Sequence, residues 1–411
     1  MSTSEHRVNR GRARVMGLAI VVALGAIAGI VWWATTESPT TQFQNGWNAL
    51  TDSDLPRVAD IARGLSKRRG FESHAHLLRG AYFLRRGQPR ESLEELRQAL
   101  DHDDTRVRAQ ILAGEALAKL RQSLQAAEVL RQALTTEPDN ADAHRWAGVA
   151  FYDLGAMQQA VHHLERLAIL EPADPRPHRV MGLIYKDLEN DQLAVKCYLE
   201  SLRRSANQPD IESIRTELAE VQIRLNRHEA ARATLADCAA SARVLALRAE
   251  CEYALGNLTV AKELLAASLQ HDPHETAALL LQGTLALDDG HANQAIASFQ
   301  QVVNLMPMDF GARFKLSQAL AQSGDEARAN AELAAMNQIK EVRREAAEVY
   351  QQALRQPRDV EARFRLGVLC EKLHRPDLAR MWYQAALAID PAHQPASTAS
   401  KALDSAATDG H

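Results

Sequence analysis

A glycine returns at a fixed interval along the chain: Gly80, Gly114, Gly148 and Gly182 lie 34 residues apart. Inside a helix, glycine is less favourable than alanine by about 1 kcal/mol. A repeated helical glycine therefore indicates that another part of the chain approaches closely at each of these points. A period of this length predicts helix–turn–helix units stacked into a solenoid.

The unit from Ala141 to Asp174 shows the pattern most clearly. Its first helix carries Gly148 and Phe151 on one face, and Gly155 then makes a turn. Its second helix ends at Pro172, because proline has no N–H to donate. The apolar positions recur at steps of three and four residues, which predicts two amphipathic helices that pack on each other.

The same frame recurs from one end of the chain to the other. Well-formed units contain, at the equivalent position, Gly80, Gly114, Gly182, Gly283, Ser317 and Gly367, and weaker units contain Ala219 and Ala249. This tandem pattern resembles the tetratricopeptide repeat family over residues 44–393. The resemblance implies an all-α fold, a right-handed superhelix of about nine to ten repeats over residues 35–393. It also implies a protein that binds other proteins and is not an enzyme.

Two segments depart from the frame. Residues 325–356 contain neither glycine nor proline and are too long for one repeat helix. This segment predicts one long helix, or two nearly continuous ones. It is interpreted first as a degenerate repeat with a fused turn, and alternatively as a helix that contacts a partner or a second copy. Residues 394–411, rich in alanine, serine and threonine, are predicted to be a disordered tail.

The N-terminal segment predicts a membrane anchor. Residues 15–34 are nearly all apolar and long enough to cross a bilayer as a transmembrane helix, and four arginines precede them within a basic arm at residues 1–14. The positive-inside rule then predicts a single-pass inner-membrane protein with a cytoplasmic N-terminus and periplasmic repeats. A cleaved signal peptide is the alternative. Gly25 and Gly29 are spaced to let two such helices pack as a homodimer.

Composition and motifs exclude several function classes. The formal net charge is −4, and a nucleic-acid binder needs a basic field. We find no phosphate loop, no dinucleotide fingerprint and no metalloprotease or serine-hydrolase motif, and we therefore expect no catalytic residues, no cofactor and no metal. The four cysteines have no metal-ligand spacing and are interpreted as buried packing residues; they are Cys197, Cys238, Cys251 and Cys370.

A peptide-binding stripe is predicted in the groove. The family resemblance implies that the second, fifth, ninth and twelfth positions of each first helix point into the concave side. In the two best repeats these positions supply Arg145, Tyr152, Arg176, Arg179 and Lys186. Guanidinium groups bind carboxylates in a bidentate way, so the stripe predicts an acidic or C-terminal peptide ligand. The alternative is that the arginines pair with neighbouring aspartates of the chain.

The family's clamp for chaperone C-termini requires asparagine at the ninth position, where this chain has Val149 and Leu183. That specific ligand is therefore not expected. The sequence predicts an anchored adaptor or scaffold in envelope assembly, secretion or quality control. Two alternatives stay open: a self-assembling structural protein, and an accessory subunit that recruits substrates to a membrane-bound enzyme.

Overall fold

The computed structural model describes residues 37–205, 209–356 and 358–408. Within these ranges all regular secondary structure is helical, in 21 helices, and the chain divides into two compact units, one ending at Ala116 and the other beginning at Leu117. The first helices are α1 Pro39–Thr51, α2 Leu55–Leu65, α3 Glu72–Arg85, α4 Pro89–Ala99 and α5 Asp103–Lys119.

The second unit continues with helices of 8 to 30 residues. They are α6 Ser123–Thr136, α7 Ala141–Asp153, α8 Met157–Leu170, α9 Arg176–Asp187, α10 Asp191–Arg204, α11 Ile211–Arg224, α12 His228–Leu235, α13 Ala242–Ala254, α14 Leu258–His271, α15 Thr276–Asp288, α16 Ala292–Leu305, α17 Phe310–Gln322, α18 Glu326–Arg355, α19 Val360–Lys372, α20 Pro376–Ile389 and α21 Gln394–Thr408.

Within each of the two units, neighbouring helices pack as hairpins, and successive hairpins pack on each other. Several first helices begin at a side chain that accepts the N–H three residues later, as Asn140 does for α7 and Ser241 for α13. Such N-caps satisfy a donor that the helix itself leaves unpaired.

The turn inside each hairpin contains one residue in the left-handed conformation. Gly155 has φ of +67°, the Gly155 N–H donates to Tyr152 O (2.9 Å), and the Ala156 N–H donates to Phe151 O (2.8 Å). These bonds end α7 in the manner of a Schellman motif. Equivalent turns place Ser53, Gly87, Arg121, Glu189, Asn226, Gly256, Gly290, Gly324 and His374 at positive φ. The predicted turn at Gly155 is therefore confirmed, and five other turns achieve the same conformation without glycine.

The close approach predicted at the repeated glycines is also confirmed. A Cβ atom at Gly283 would lie 2.5 Å from the ring of Phe299, and one at Gly182 would lie 2.8 Å from the ring of Tyr198. Each large side chain stands sixteen residues after its glycine and is fully buried. In the first unit, Leu96 meets Gly80 in the same way. The glycine thus makes room for a side chain of the second helix in its own hairpin.

The segment at residues 325–356 contains one continuous helix, α18 (Glu326–Arg355), which is one of the two arrangements that the sequence predicted. Its first half packs on α17 and its last part on α19, where Val349 and Ala353 are buried. The first half of α18 thus completes the hairpin with α17, and its last part forms a hairpin with α19, with no turn between the two parts. This arrangement corresponds to the interpretation as a fused repeat.

The prediction of a disordered tail is wrong. Residues 394–408 form α21, which packs on α20. Ala396 and Ser400 are buried, and Ala399 and Leu403 pack beside them on the C-terminal core. Their spacing of three and four residues gives α21 one apolar side, so the helix gains burial that the polar composition of the segment obscured.

The prediction of a single-pass inner-membrane protein must also be corrected. Throughout the residues that the structure describes, no helix combines the length and the apolar character needed to cross a membrane. The basic arm at residues 1–14, the segment at residues 15–34 and the pair Gly25 and Gly29 lie outside the described residues.

Candidate functional site

The predicted basic stripe lies on α7 and α9 of the second unit, and its arginines already bind carboxylates of the chain. Arg145 pairs with Asp142 and donates to Glu171 at 2.5 Å. Arg176 donates to both oxygens of Asp174 at 2.8–3.0 Å. Arg179 pairs with Asp210. Arg145 and Arg179 therefore link neighbouring segments of the chain, whereas the pair between Arg176 and Asp174 is local.

The remaining two residues of the stripe occupy different surroundings. Tyr152 packs beside the apolar cluster that contains Met157 and Met181, and burial raises the pKa of its hydroxyl. Lys186 is half-buried and precedes Asp187, whose carboxylate lies 3.7 Å from the Arg375 guanidinium. The stripe therefore combines residues used in local ion pairs with a tyrosine that faces the C-terminal repeats.

A second candidate site lies between the first helices of four successive hairpins. Side chains of α11, α13, α15 and the start of α17 enclose a cavity of about 360 Å³. Its walls are mixed in character, with Ile223, Leu247, Leu280 and Met306 on the apolar side. A partly apolar cleft with a few convergent charged groups is the usual form of a ligand site.

The arginines of this cavity are matched to carboxylates. Arg243 lies between Glu220 and Glu275, with a distance of 2.9 Å to each. Arg224 pairs with Asp191 at 2.5 Å. Both guanidinium groups thus link successive repeats, and neither offers an uncompensated charge to a ligand.

Glu250 differs from the other carboxylates of the cavity. Within the described part of the chain its carboxylate forms neither a hydrogen bond nor an ion pair, and burial raises its pKa despite the opposing effects of Arg243, His228 and Lys315. The Lys315 ammonium donates to the Thr284 hydroxyl at 3.0 Å. The cavity therefore presents one carboxylate whose charge is poorly compensated, and a cationic group of a ligand would stabilise it.

The sequence interpretation missed Glu250 because it considered only the two best repeats. Glu250 directly follows Ala249, the equivalent of Gly148, and so occupies the same ninth position as Val149 and Leu183. A charged residue at that groove position was the available signal.

The cysteines are buried, and the described part of the chain contains no cluster of metal ligands. All four cysteines are free and buried, as predicted, and burial raises the pKa of Cys251 to about 12. Among the described residues, no group of three or more histidine, cysteine, aspartate or glutamate side chains is arranged to hold a metal ion.

Comparison with known proteins identifies the repeats. A tetratricopeptide repeat model matches residues 111–176, 280–336 and 343–393, and a second tetratricopeptide repeat model matches residues 180–208. The described part of the chain is therefore all-α, and the matched segments are tetratricopeptide repeats, which typically form scaffolds that bind other proteins and are not catalytic.

Several solved structures are similar to parts of the chain. A crystal structure of MamA is 21% identical, covers 39% of this chain and 93% of its own, and has a TM-score of 0.35. MamA 41-end from Desulfovibrio magneticus RS-1 is 21% identical, covers 44% and 97%, and has a TM-score of 0.38. MamA MSR-1 is 18% identical, covers 47% and 96%, and has a TM-score of 0.34. At this identity the likeness concerns the fold alone. No curated protein matches the chain.

Proposed function

We propose that the protein is a protein-interaction scaffold that holds a segment of a partner protein in the groove of its second unit. The observation that carries the proposal is the cavity between α11, α13, α15 and α17, with the poorly compensated carboxylate of Glu250 in its wall. Tetratricopeptide repeats support the scaffold class, and the cavity supports the location.

The chemistry of the cavity favours a basic residue of the partner. A lysine or arginine side chain has an aliphatic stem that would contact Leu247 and Leu280, and a charged end that would pair with Glu250. The pairing would be favourable because Arg243 is already shared by two carboxylates, Glu220 and Glu275.

The basic stripe is a secondary part of the proposal. An acidic stretch of the same partner would replace Asp142, Asp174 or Asp210 at the arginines of α7 and α9. Because partly exposed ion pairs contribute about 0–1 kcal/mol each, such an exchange is energetically accessible.

Photocrosslinking tests the location. A photoreactive phenylalanine analogue at Thr284, inside the cavity, is expected to crosslink a partner in the cells that make the protein. The same group at Leu258, which is 49% exposed at the start of α14, serves as the control. Equal crosslinking at both positions would contradict the proposal.

Charge variants test the chemistry. Glu250→Gln and Glu250→Lys are expected to reduce crosslinking from Thr284, and Glu250→Lys more strongly, because it repels a cationic side chain. Arg145→Gln, Arg176→Gln and Arg179→Gln are expected to reduce it only if an acidic stretch also binds. Unchanged crosslinking in Glu250→Lys would exclude a basic ligand at this carboxylate.

A further inference from the structure

The two ends of the second unit touch each other. The indole ring of Trp382, on α20, lies directly against Gly155 in the turn after α7, where a Cβ atom would overlap it. Tyr350 of α18 joins the same contact, with its ring centroid 6.0 Å from that of Trp382. Trp382 is only 6% exposed. Repeats that are far apart in the sequence are therefore packed together, and Gly155 allows the ring to approach.

Ion pairs extend this contact along the neighbouring turn. Arg343 of α18 pairs with Glu189, and Arg375 lies 3.7 Å from Asp187. All four side chains are partly exposed, so each pair contributes about 0–1 kcal/mol and is screened by salt. The electrostatic part of the contact is thus weak.

The apolar part of the contact is packed incompletely. A cavity of about 120 Å³ remains between Phe151, Gly155, Tyr350 and Trp382. The Tyr350 hydroxyl is buried, and the backbone N–H of Met157 acts on it without forming a hydrogen bond of normal geometry. The void and the poorly paired hydroxyl both weaken the contact.

The contact also involves the groove. Tyr152, a residue of the predicted stripe, packs in the cluster that Tyr350 joins, and the charges of Asp187 and Arg375 act on its hydroxyl. Contact with a partner at Tyr152 therefore competes with the C-terminal repeats. We propose that α18, α19 and α20 form an autoinhibitory latch, which closes on the turns after α7 and α9 and opens when a partner enters the groove. This inference rests on the proposed function.

A pair of asparagine substitutions isolates the latch. Gly155→Asn places a side chain against Trp382, whereas Gly256→Asn changes the equivalent turn, at φ of +84°, where nothing lies within 4 Å. Asn226 adopts this left-handed conformation in the same chain, so the backbone tolerates asparagine. Any difference between the two variants therefore reports on the contact with Trp382.

Hydrogen exchange measures whether the latch opens. Gly155→Asn is expected to accelerate amide exchange in residues 346–355 and 376–389, which a local defect in the turn at 155 would leave unchanged. Gly256→Asn is expected to leave both segments as in the unmodified protein. Equal exchange in the two variants would overturn the latch.

Charge exchange provides a second test that does not depend on Gly155. Arg343→Glu with Arg375→Asp is expected to open the latch, and adding Glu189→Arg with Asp187→Arg is expected to restore slow exchange. Absence of this rescue would overturn the role of the ion pairs in the latch.

Crosslinking from Thr284 separates the two proposals. If the latch inhibits binding, Gly155→Asn raises the crosslinking yield several-fold, because apparent affinity scales with the open fraction. Faster exchange without a higher yield would overturn inhibition. Absence of crosslinking in every variant would refute the proposed function, and the latch would then be judged on hydrogen exchange alone.

Discussion

Alanine in place of Gly283 should destabilise the second unit because the space is already filled. A Cβ atom there would lie 2.5 Å from one ring carbon of Phe299 and 2.8 Å from two others. Phe299 has no exposed surface, and Ala295, Val302 and Leu316 pack in the same cluster. The ring therefore cannot move aside without displacing other buried groups.

The expected magnitude combines two opposing effects. Overpacking a core costs about 1–3 kcal/mol. Alanine returns about 1 kcal/mol of helix propensity. The net loss in the free energy of unfolding should therefore lie between about 0 and 2 kcal/mol, toward the upper end because the ring of Phe299 cannot move aside.

Gly148→Ala is the matched control. Its Cβ atom would lie 3.3 Å from Leu164, a smaller side chain whose displacement by a few tenths of an ångström relieves the contact. We expect this variant to retain wild-type stability or to gain up to about 1 kcal/mol from helix propensity.

Other hairpins of the chain show which second substitution should rescue Gly283→Ala. The aromatic residues Tyr198, Phe299 and Tyr383 all stand sixteen residues after a glycine, whereas Ala219 and Ala249 precede Leu235 and Leu265 by the same spacing. Alanine is therefore compatible with leucine in this hairpin. Phe299→Leu alone should lose stability through the cavity that it leaves. Adding Gly283→Ala should then cost nothing further, and the double-mutant cycle should show a coupling of at least about 1 kcal/mol.

Urea unfolding of the full chain, followed by far-ultraviolet circular dichroism, measures these differences. The reasoning is refuted if Gly283→Ala is as stable as Gly148→Ala. It is equally refuted if the effects of Gly283→Ala and Phe299→Leu simply add.

Three further predictions concern buried titratable groups. Burial lowers the pKa of His163 to about 4, so the unfolded chain takes up a proton at higher pH than the folded chain, and stability should fall as the pH drops from about 6.5 to about 4. In His163→Gln the urea midpoint should depend less on pH over that range. An unchanged pH dependence of the midpoint would contradict this origin. Burial raises the pKa of Glu250, so Glu250→Gln should stabilise the protein at neutral pH, and the gain should shrink as acid protonates the wild-type carboxyl. A loss of stability at neutral pH would show that the carboxylate is held by favourable contacts. Burial also raises the pKa of the thiols of Cys197 and Cys370 to about 11, so a thiol reagent should label them only after unfolding; rapid labelling of the folded chain would count against their burial.

Much of the fold could be predicted because its main contacts are local. Gly155 and the helix at residues 325–356 were predicted correctly, since a hairpin of this size is determined by residues within one period. The helix at residues 394–408 was missed because composition was given more weight than the spacing of Ala396, Ser400 and Leu403.

The candidate site was less accessible to sequence reasoning. Arg145, Arg176 and Arg179 are paired with acids from their own or adjacent segments, and only coordinates show which acid each one reaches. For Glu250 the coordinates show the opposite situation. The surrounding arginines bind other carboxylates and leave that of Glu250 without one of them as a partner. Such pairings depend on side-chain positions that no period in the sequence encodes.

The sequence by itself determined the repeating hairpin, because each close approach, such as that of Gly283 and Phe299, lies within one repeat and recurs with the period of the repeats. The tertiary structure alone decided that Trp382 meets Gly155. The small rotation from each hairpin to the next accumulates over the intervening repeats. The meeting of Trp382 with Gly155 therefore depends on the sum of the rotations between their two repeats, and no single repeat carries that information.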